Sequence, residues 1–164
     1  KIEGRGRAPE YVAQVIRCYR DAIDSIEAGS YNKEKVISWM LDLEKVYNRG
    51  FWSGYYLGQK LGEWSKGSGS HASQKKVYLG KGMHYFPKAK VGEFKIESYD
   101  ITIGDTILIT GPTTGAKEMK VLEMYVNDEK GTKASKGDSC TIPLEFRIRP
   151  SDKLYKIVSS KVEA

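Results

Sequence analysis

At about Lys75 the spacing of the apolar residues changes, and no single-class fold accommodates both patterns. Before that point Val12, Val15, Ile16, Tyr19, Ile23 and Ile26 recur at helical spacing, as do Val36, Trp39, Met40, Leu43 and Val46. Each set makes one apolar stripe on a helix of 3.6 residues per turn. After it, short runs alternate with period two, at residues 76–80, 91–98, 106–110, 119–126, 139–143 and 154–158. Six short strands in about 90 residues leave too many unpaired edges unless the sheet curls on itself. The sequence therefore predicts an α+β chain: a helical segment over residues 1–74, then a small six-stranded β-barrel over residues 75–164.

Local signals set the helix ends. Pro9 suits a first helical position and Glu10 the positive end of the helix dipole, whereas Ala8 is a poor cap. Gly29 is a C-terminal stop. Asn32 is a good N-cap for a second helix over residues 33–47. The short connection predicts a helical hairpin. Two helices bury little by themselves, so a third surface is expected to cover them. Residues 49–64 are aromatic and glycine-rich, with glycine at 50, 54, 58 and 62. They predict a tightly packed irregular or partly helical segment. Residues 66–74 read as a polar linker.

Composition excludes several classes. Hydrophobic residues make up 40% and charged residues 29%, as in an ordinary globular chain. No run of about 18 apolar residues offers a membrane span, and no apolar h-region suggests secretion. Cys18 and Cys140 are too few for a disulfide scaffold and are expected to be buried free thiols. A cytoplasmic protein is the expectation. The first residue is Lys1 rather than methionine, which points to a piece of a longer protein.

Neither histidine, His71 in the linker or His84 in an expected loop, has a nucleophile or carboxylate pair at catalytic spacing. No metal-ligand cluster is legible, so no metal or cofactor is expected in this stretch. The net charge of +6 divides as 11 basic against 9 acidic residues before Lys75 and 16 against 12 from there on. Lys75, Lys76, Lys81, Lys88, Lys90, Arg147 and Arg149, with Lys153 and Lys156, are candidate phosphate contacts if they cluster; scattered solvated cations are the alternative. Phe51, Trp52, Tyr55, Tyr56 and Trp64 would stack on bases if exposed, or else pack internally.

Gly104-Asp105 and Gly137-Asp138 each precede a strand. Glycine supplies a tight turn and aspartate bonds nearby backbone N–H groups. This pattern resembles domain two of translation elongation factors, a small barrel. A wider resemblance begins at Lys1-Ile2-Glu3-Gly4-Arg5, Ala8-Pro9-Glu10-Tyr11-Val12-Ala13 and Tyr19-Arg20-Asp21-Ala22. It continues through Tyr47-Asn48-Arg49-Gly50-Phe51, Tyr85-Phe86-Pro87-Lys88 and Ile109-Thr110-Gly111-Pro112-Thr113-Thr114-Gly115, and ends at Arg149-Pro150-Ser151-Asp152-Lys153-Leu154-Tyr155. Together these resemble the C-terminal part of the U-32 family of collagenase-like peptidases; Gly6 and Ala8 depart from its usual residues. Ile2-Glu3-Gly4-Arg5 is also the recognition tetrapeptide of a tag-removal protease, although a processing scar does not explain the family-like residues that follow.

The resemblance implies a modified TIM barrel before this segment, with Lys1–Arg5 where its last strand ends. Chemistry in such barrels sits at the C-terminal ends of strands. Glu3 and Arg5 would then face a substrate, Arg5 as a carboxylate or phosphate clamp; a structural Glu–Arg pair is the other reading. The family's cysteine-containing signature is absent here, so the parent would be the enzyme and this chain alone inactive. Two functions follow: an accessory, substrate-binding region of a U-32 peptidase, or a tRNA-contacting module of a U-32 protein that hydroxylates wobble uridine to 5-hydroxyuridine. The expected partners are the preceding TIM barrel and either a peptide or tRNA, with no membrane. A purely structural or dimerising domain is a third reading.

Overall fold

The structure is a computed structural model and describes residues 1–51, Gly58 and 69–160. The chain divides into two units, residues 1–74 with 160–164, and residues 75–159.

In the first unit, helix α1 spans Pro9–Glu27 and α2 spans Lys33–Glu44. Pro9 holds the first helical turn, and Ala8 supplies no side-chain cap. At the far end Gly29 N–H donates to Ile26 O and Ser30 N–H to Ser25 O, the paired bonds that satisfy carbonyls left open by a helix end. Asn32 caps α2 by accepting from Lys35 N–H at 2.9 Å. α2 stops at Glu44, three residues short of the expected end. Asn48 Nδ2 donates to Glu44 O and Val46 O, Ser73 N–H also donates to Glu44 O, and the chain turns away.

The apolar stripe of α1 divides in two. Val15 and Cys18 are buried, with Cys18 Sγ against Trp39 O of α2. Ile16, Tyr19, Ile23 and Ile26 stay between 46% and 62% exposed. The hairpin thus covers one side of α1 and leaves a second apolar row exposed. The expected aromatic residues Trp52, Tyr55, Tyr56 and Trp64, and Gly54 and Gly62 of the glycine repeat, lie outside the described residues. No described helix is long and apolar enough to cross a membrane.

The second unit is built from strands β1 (Gln74–Phe86), β2 (Val91–Ile96), β3 (Ile101–Thr102), β4 (Thr106–Gly111), β5 (Gly115–Lys120), β6 (Met124–Val126), β7 (Glu129–Gly131), β8 (Lys133–Ala134), β9 (Ser139–Pro143) and β10 (Lys153–Ser159). Eight form one sheet in the order β5-β4-β10-β1-β2-β9-β6-β7, and β3 pairs with β8 as a separate ribbon. The pairings β1–β2, β4–β10, β2–β9, β3–β8, β4–β5, β6–β7 and β6–β9 are antiparallel.

Each of the six expected runs contributes a strand. β3, β7 and β8 were not legible as runs because they have only two or three residues. The expected strand over 119–126 is divided between β5 and β6. There Val121 N–H donates to Asp105 O, and Val121 O accepts from Gly104 N–H. Those bonds draw a fully buried Val121 out of the ladder and into the core. His84, expected in a loop, lies within β1 beside a register shift between Gly82 and His84.

One core gathers residues from most strands, including Leu79, Phe94, Ile96, Ile107, Ile109, Met124, Ile142 and Leu154. Burying each such side chain stabilises by about 1.5–3 kcal/mol relative to exposure.

Candidate substrate groove and basic residues

β5 pairs with β4 and has no other neighbour in the sheet. Its far edge borders a groove of about 790 Å³ whose lining includes Lys90, Lys117, Met119, Leu122, Leu144 and Phe146. The register fixes which β5 side chains turn toward the interior. Lys117 is opposite Ile109 and Met119 opposite Ile107, and both isoleucines are core residues. Directly opposed residues share a sheet face, so Lys117 and Met119 face inward. Lys117 Nζ lies 5.9 Å from the Phe146 ring centroid. Leu144 N–H donates to Lys90 O, which fixes the opposite wall.

The expected basic residues are not one cluster. Lys88 and Lys90 occupy the β1–β2 turn, and Arg147 and Arg149 the β9–β10 connection; all four are exposed. One bond joins the turn to the connection, from Leu144 N–H to Lys90 O, and Arg149 O lies against Gly82 of β1, where an added Cβ would be 2.9 Å from it. Lys75 and Lys76 lie at the start of the 13-residue β1. Lys76 Nζ is 4.7 Å from the Tyr155 ring. Lys81 pairs with Glu97 at 2.9 Å, and Lys156 with Asp105 at 2.7 Å. Lys153 opens β10.

Glu3 and Arg5 are exposed, and the Glu3 carboxylate accepts from the Arg5 backbone N–H at 2.8 Å rather than from its guanidinium. A cavity of about 670 Å³ in the same unit is lined by their neighbours Lys1, Ile2 and Arg7, with Tyr11, Tyr47 and Phe51 among the rest. The Arg7 guanidinium stacks 3.8 Å from the Tyr47 ring centroid. Sequence reasoning missed Arg7, although it stands two residues beyond Arg5 in the same basic run.

Both cysteines are free and buried. Burial pushes the Cys18 thiol up and the Cys140 thiol up to about 12, so neither is poised as a thiolate nucleophile. Tyr78 donates to Glu97 at 2.6 Å, which pushes its hydroxyl up to about 12. No group of three or more metal-ligating side chains occurs among the described residues.

A crystal structure of the C-terminal domain of a Geobacillus thermoleovorans protein described as a U32 peptidase aligns over 48% of this chain and 96% of its own, at 12% identity and a TM-score of 0.45. A collagenase of Porphyromonas gingivalis is 51% identical over 156 residues, 95% of this chain and 38% of the relative. An uncharacterised protease of Methanocaldococcus jannaschii is 34% identical over 158 residues, 94% of this chain and 38% of the relative. The chain thus spans well under half the length of the curated relatives it matches. Residues 1–66 thus match peptidase family U32, and nearly all of the chain aligns with relatives described as a collagenase and an uncharacterised protease.

Proposed function

We propose that this chain is an accessory, substrate-binding region of a U32 peptidase, with the chemistry carried by a TIM barrel that precedes it in the whole protein. The observation that carries the reading is the β5 groove, a site beside a strand edge in a chain 51% identical over 156 residues to a collagenase. Strand edges bind extended peptides through main-chain hydrogen bonds, with side-chain specificity supplied by flanking depressions. Both thiols are buried, which fits binding rather than turnover. The open apolar row on α1 and the Arg7–Tyr47 cavity suit contact with the preceding domain, and Glu3 and Arg5 would border its substrate. The test is retention of the purified chain on immobilised gelatin together with a gelatin digest. Retention without hydrolysis is expected; passage through the column unretained, or hydrolysis that survives inhibitors of contaminating proteases, would overturn the proposal.

A second reading, a tRNA-contacting module of a wobble-uridine-hydroxylating protein, is favoured by one observation. Lys88, Lys90, Arg147 and Arg149 are exposed on neighbouring segments of the second unit, where they would meet a phosphate backbone together.

A further inference from the structure

We infer that the free edge of β5 selects an extended peptide carrying an acidic side chain, and that Lys117 reads that acid. The inference rests on the substrate-binding reading and specifies its ligand. β5 has six residues, about 20 Å of strand, and one whole row of its backbone N–H and C=O groups has no strand partner. The groove beside it has Met119, Leu122, Leu144 and Phe146 along its walls. Lys117 projects into this apolar setting and has no ion-pair partner among the described residues. Of the other charges there, Glu123 is held by Lys130 at 3.2 Å, and Lys90 and Lys120 offset Glu118 and Glu145 in number.

An inward-facing lysine on an edge strand ordinarily guards against unwanted pairing. Guarding and selection are the same physics. An incoming strand that sets an apolar or cationic side chain beside Lys117 desolvates an ammonium without an anion, which is unfavourable. A strand that presents a carboxylate there gains a charge-assisted hydrogen bond and covers the apolar walls as well. A second copy of the chain is a poor occupant. Its own β5 would bring Lys117 and Met119 to the same inner face, ammonium beside ammonium.

The probe is a fluorescein-labelled octapeptide, Ser-Thr-Val-Thr-Glu-Leu-Thr-Ser, and its counterpart with Lys in place of Glu, titrated by fluorescence anisotropy against the whole chain. The Glu peptide should bind about 1.5- to fivefold more tightly, the range for one exposed charge pair. Lys117→Glu should invert the preference and Lys117→Gln should abolish it. Lys117 is exposed, so both variants should melt like the parent. Amide chemical shifts of residues 116–120 should move on binding. Equal affinity for the two peptides, or a preference unchanged in Lys117→Glu, overturns acid selection while gelatin retention still upholds the broader reading. Failure of both peptides to bind overturns the inference whatever the gelatin result.

Discussion

Thr114 Oγ1 donates to Asp152 Oδ2 at 2.5 Å, and through that bond the β4–β5 turn is tied to the β9–β10 connection. The same oxygen accepts Arg149 N–H at 2.9 Å, and Asp152 O accepts from Gly82 N–H at the β1 bulge. Asp152 is only 2% exposed, so water cannot replace these partners. Asp152→Ala should destabilise the second unit by about 2–3 kcal/mol, because it strands the half-buried Thr114 hydroxyl and a backbone N–H. Thr114→Val removes one bond and should cost about 1–2 kcal/mol. Gly111→Ala should resemble Asp152→Ala, since an added Cβ would lie 1.8 Å from Asp152 Oδ1. Urea denaturation of the three variants checks the order; a neutral Asp152→Ala would show the clasp to be incidental.

The turn that holds Asp152 has the same design as the two Gly-Asp turns. Thr102 N–H donates to Asp105 Oδ2 at 2.8 Å, Ser135 N–H to Asp138 Oδ2 at 2.8 Å, and Arg149 N–H to Asp152 Oδ2 at 2.9 Å. In each, the aspartate N–H returns a bond to the first residue's carbonyl. The residue before each aspartate has positive φ: 94° at Gly104, 100° at Gly137 and 72° at Ser151. Serine is strained where glycine is not. Gly104→Val should therefore destabilise by about 1–3 kcal/mol. Ser151→Gly should be neutral to stabilising by up to about 1 kcal/mol, the relief of strain being partly offset by chain entropy. Thermal melts of the pair should move in opposite directions or leave Ser151→Gly unmoved; a clear loss in Ser151→Gly would assign its hydroxyl a bonding role.

These turns also show what could be read from the sequence. Gly104-Asp105 and Gly137-Asp138 were legible because glycine announces a left-handed position. Ser151-Asp152 was not, because serine carries no such signal, and the Thr114–Asp152 pair spans 38 residues. Helix ends at Pro9, Gly29 and Asn32 were legible because caps are local chemistry. The early stop of α2 depends on Ser73 meeting Glu44, a contact no local pattern encodes. The β5 groove was hidden for the same reason. Its Lys117 reads as a solvated charge until the register with Ile109 places it on the inner face.

Asp105 should govern part of the acid limb of stability. Burial pushes its carboxyl up, but the Lys156 ammonium at 2.7 Å and the Thr102 N–H outweigh burial and hold it below the ordinary value. A carboxyl depressed in the folded state contributes stability that is present above the ordinary value of about 4 and is lost as pH falls through the folded value. Lys156→Met keeps the aliphatic stem and removes the charge. It should raise the Asp105 midpoint, read by carboxyl NMR titration, and shrink the stability lost as pH falls from the ordinary value through the folded one. An unchanged midpoint would mean that the Thr102 N–H alone holds the carboxyl down.

The basic end of the second unit allows the tRNA reading to be separated from the peptide reading. Neutralised phosphates release counterions, so log K should fall with log salt by roughly 0.7–0.9 per phosphate contact. Lys88 and Lys90 lie on one turn and Arg147 on the adjoining connection, all exposed, so several contacts would form together. Lys88→Glu with Lys90→Glu should then weaken binding of labelled tRNA about equally for different sequences and flatten the salt slope by roughly two contacts. Peptide binding at β5 should respond less to the same change, because its affinity comes largely from main-chain hydrogen bonds and apolar contact. Titration at low and near-physiological salt decides the matter. Absent tRNA binding at low salt, or binding indifferent to salt, removes the nucleic-acid reading and leaves the groove as the working surface of the second unit.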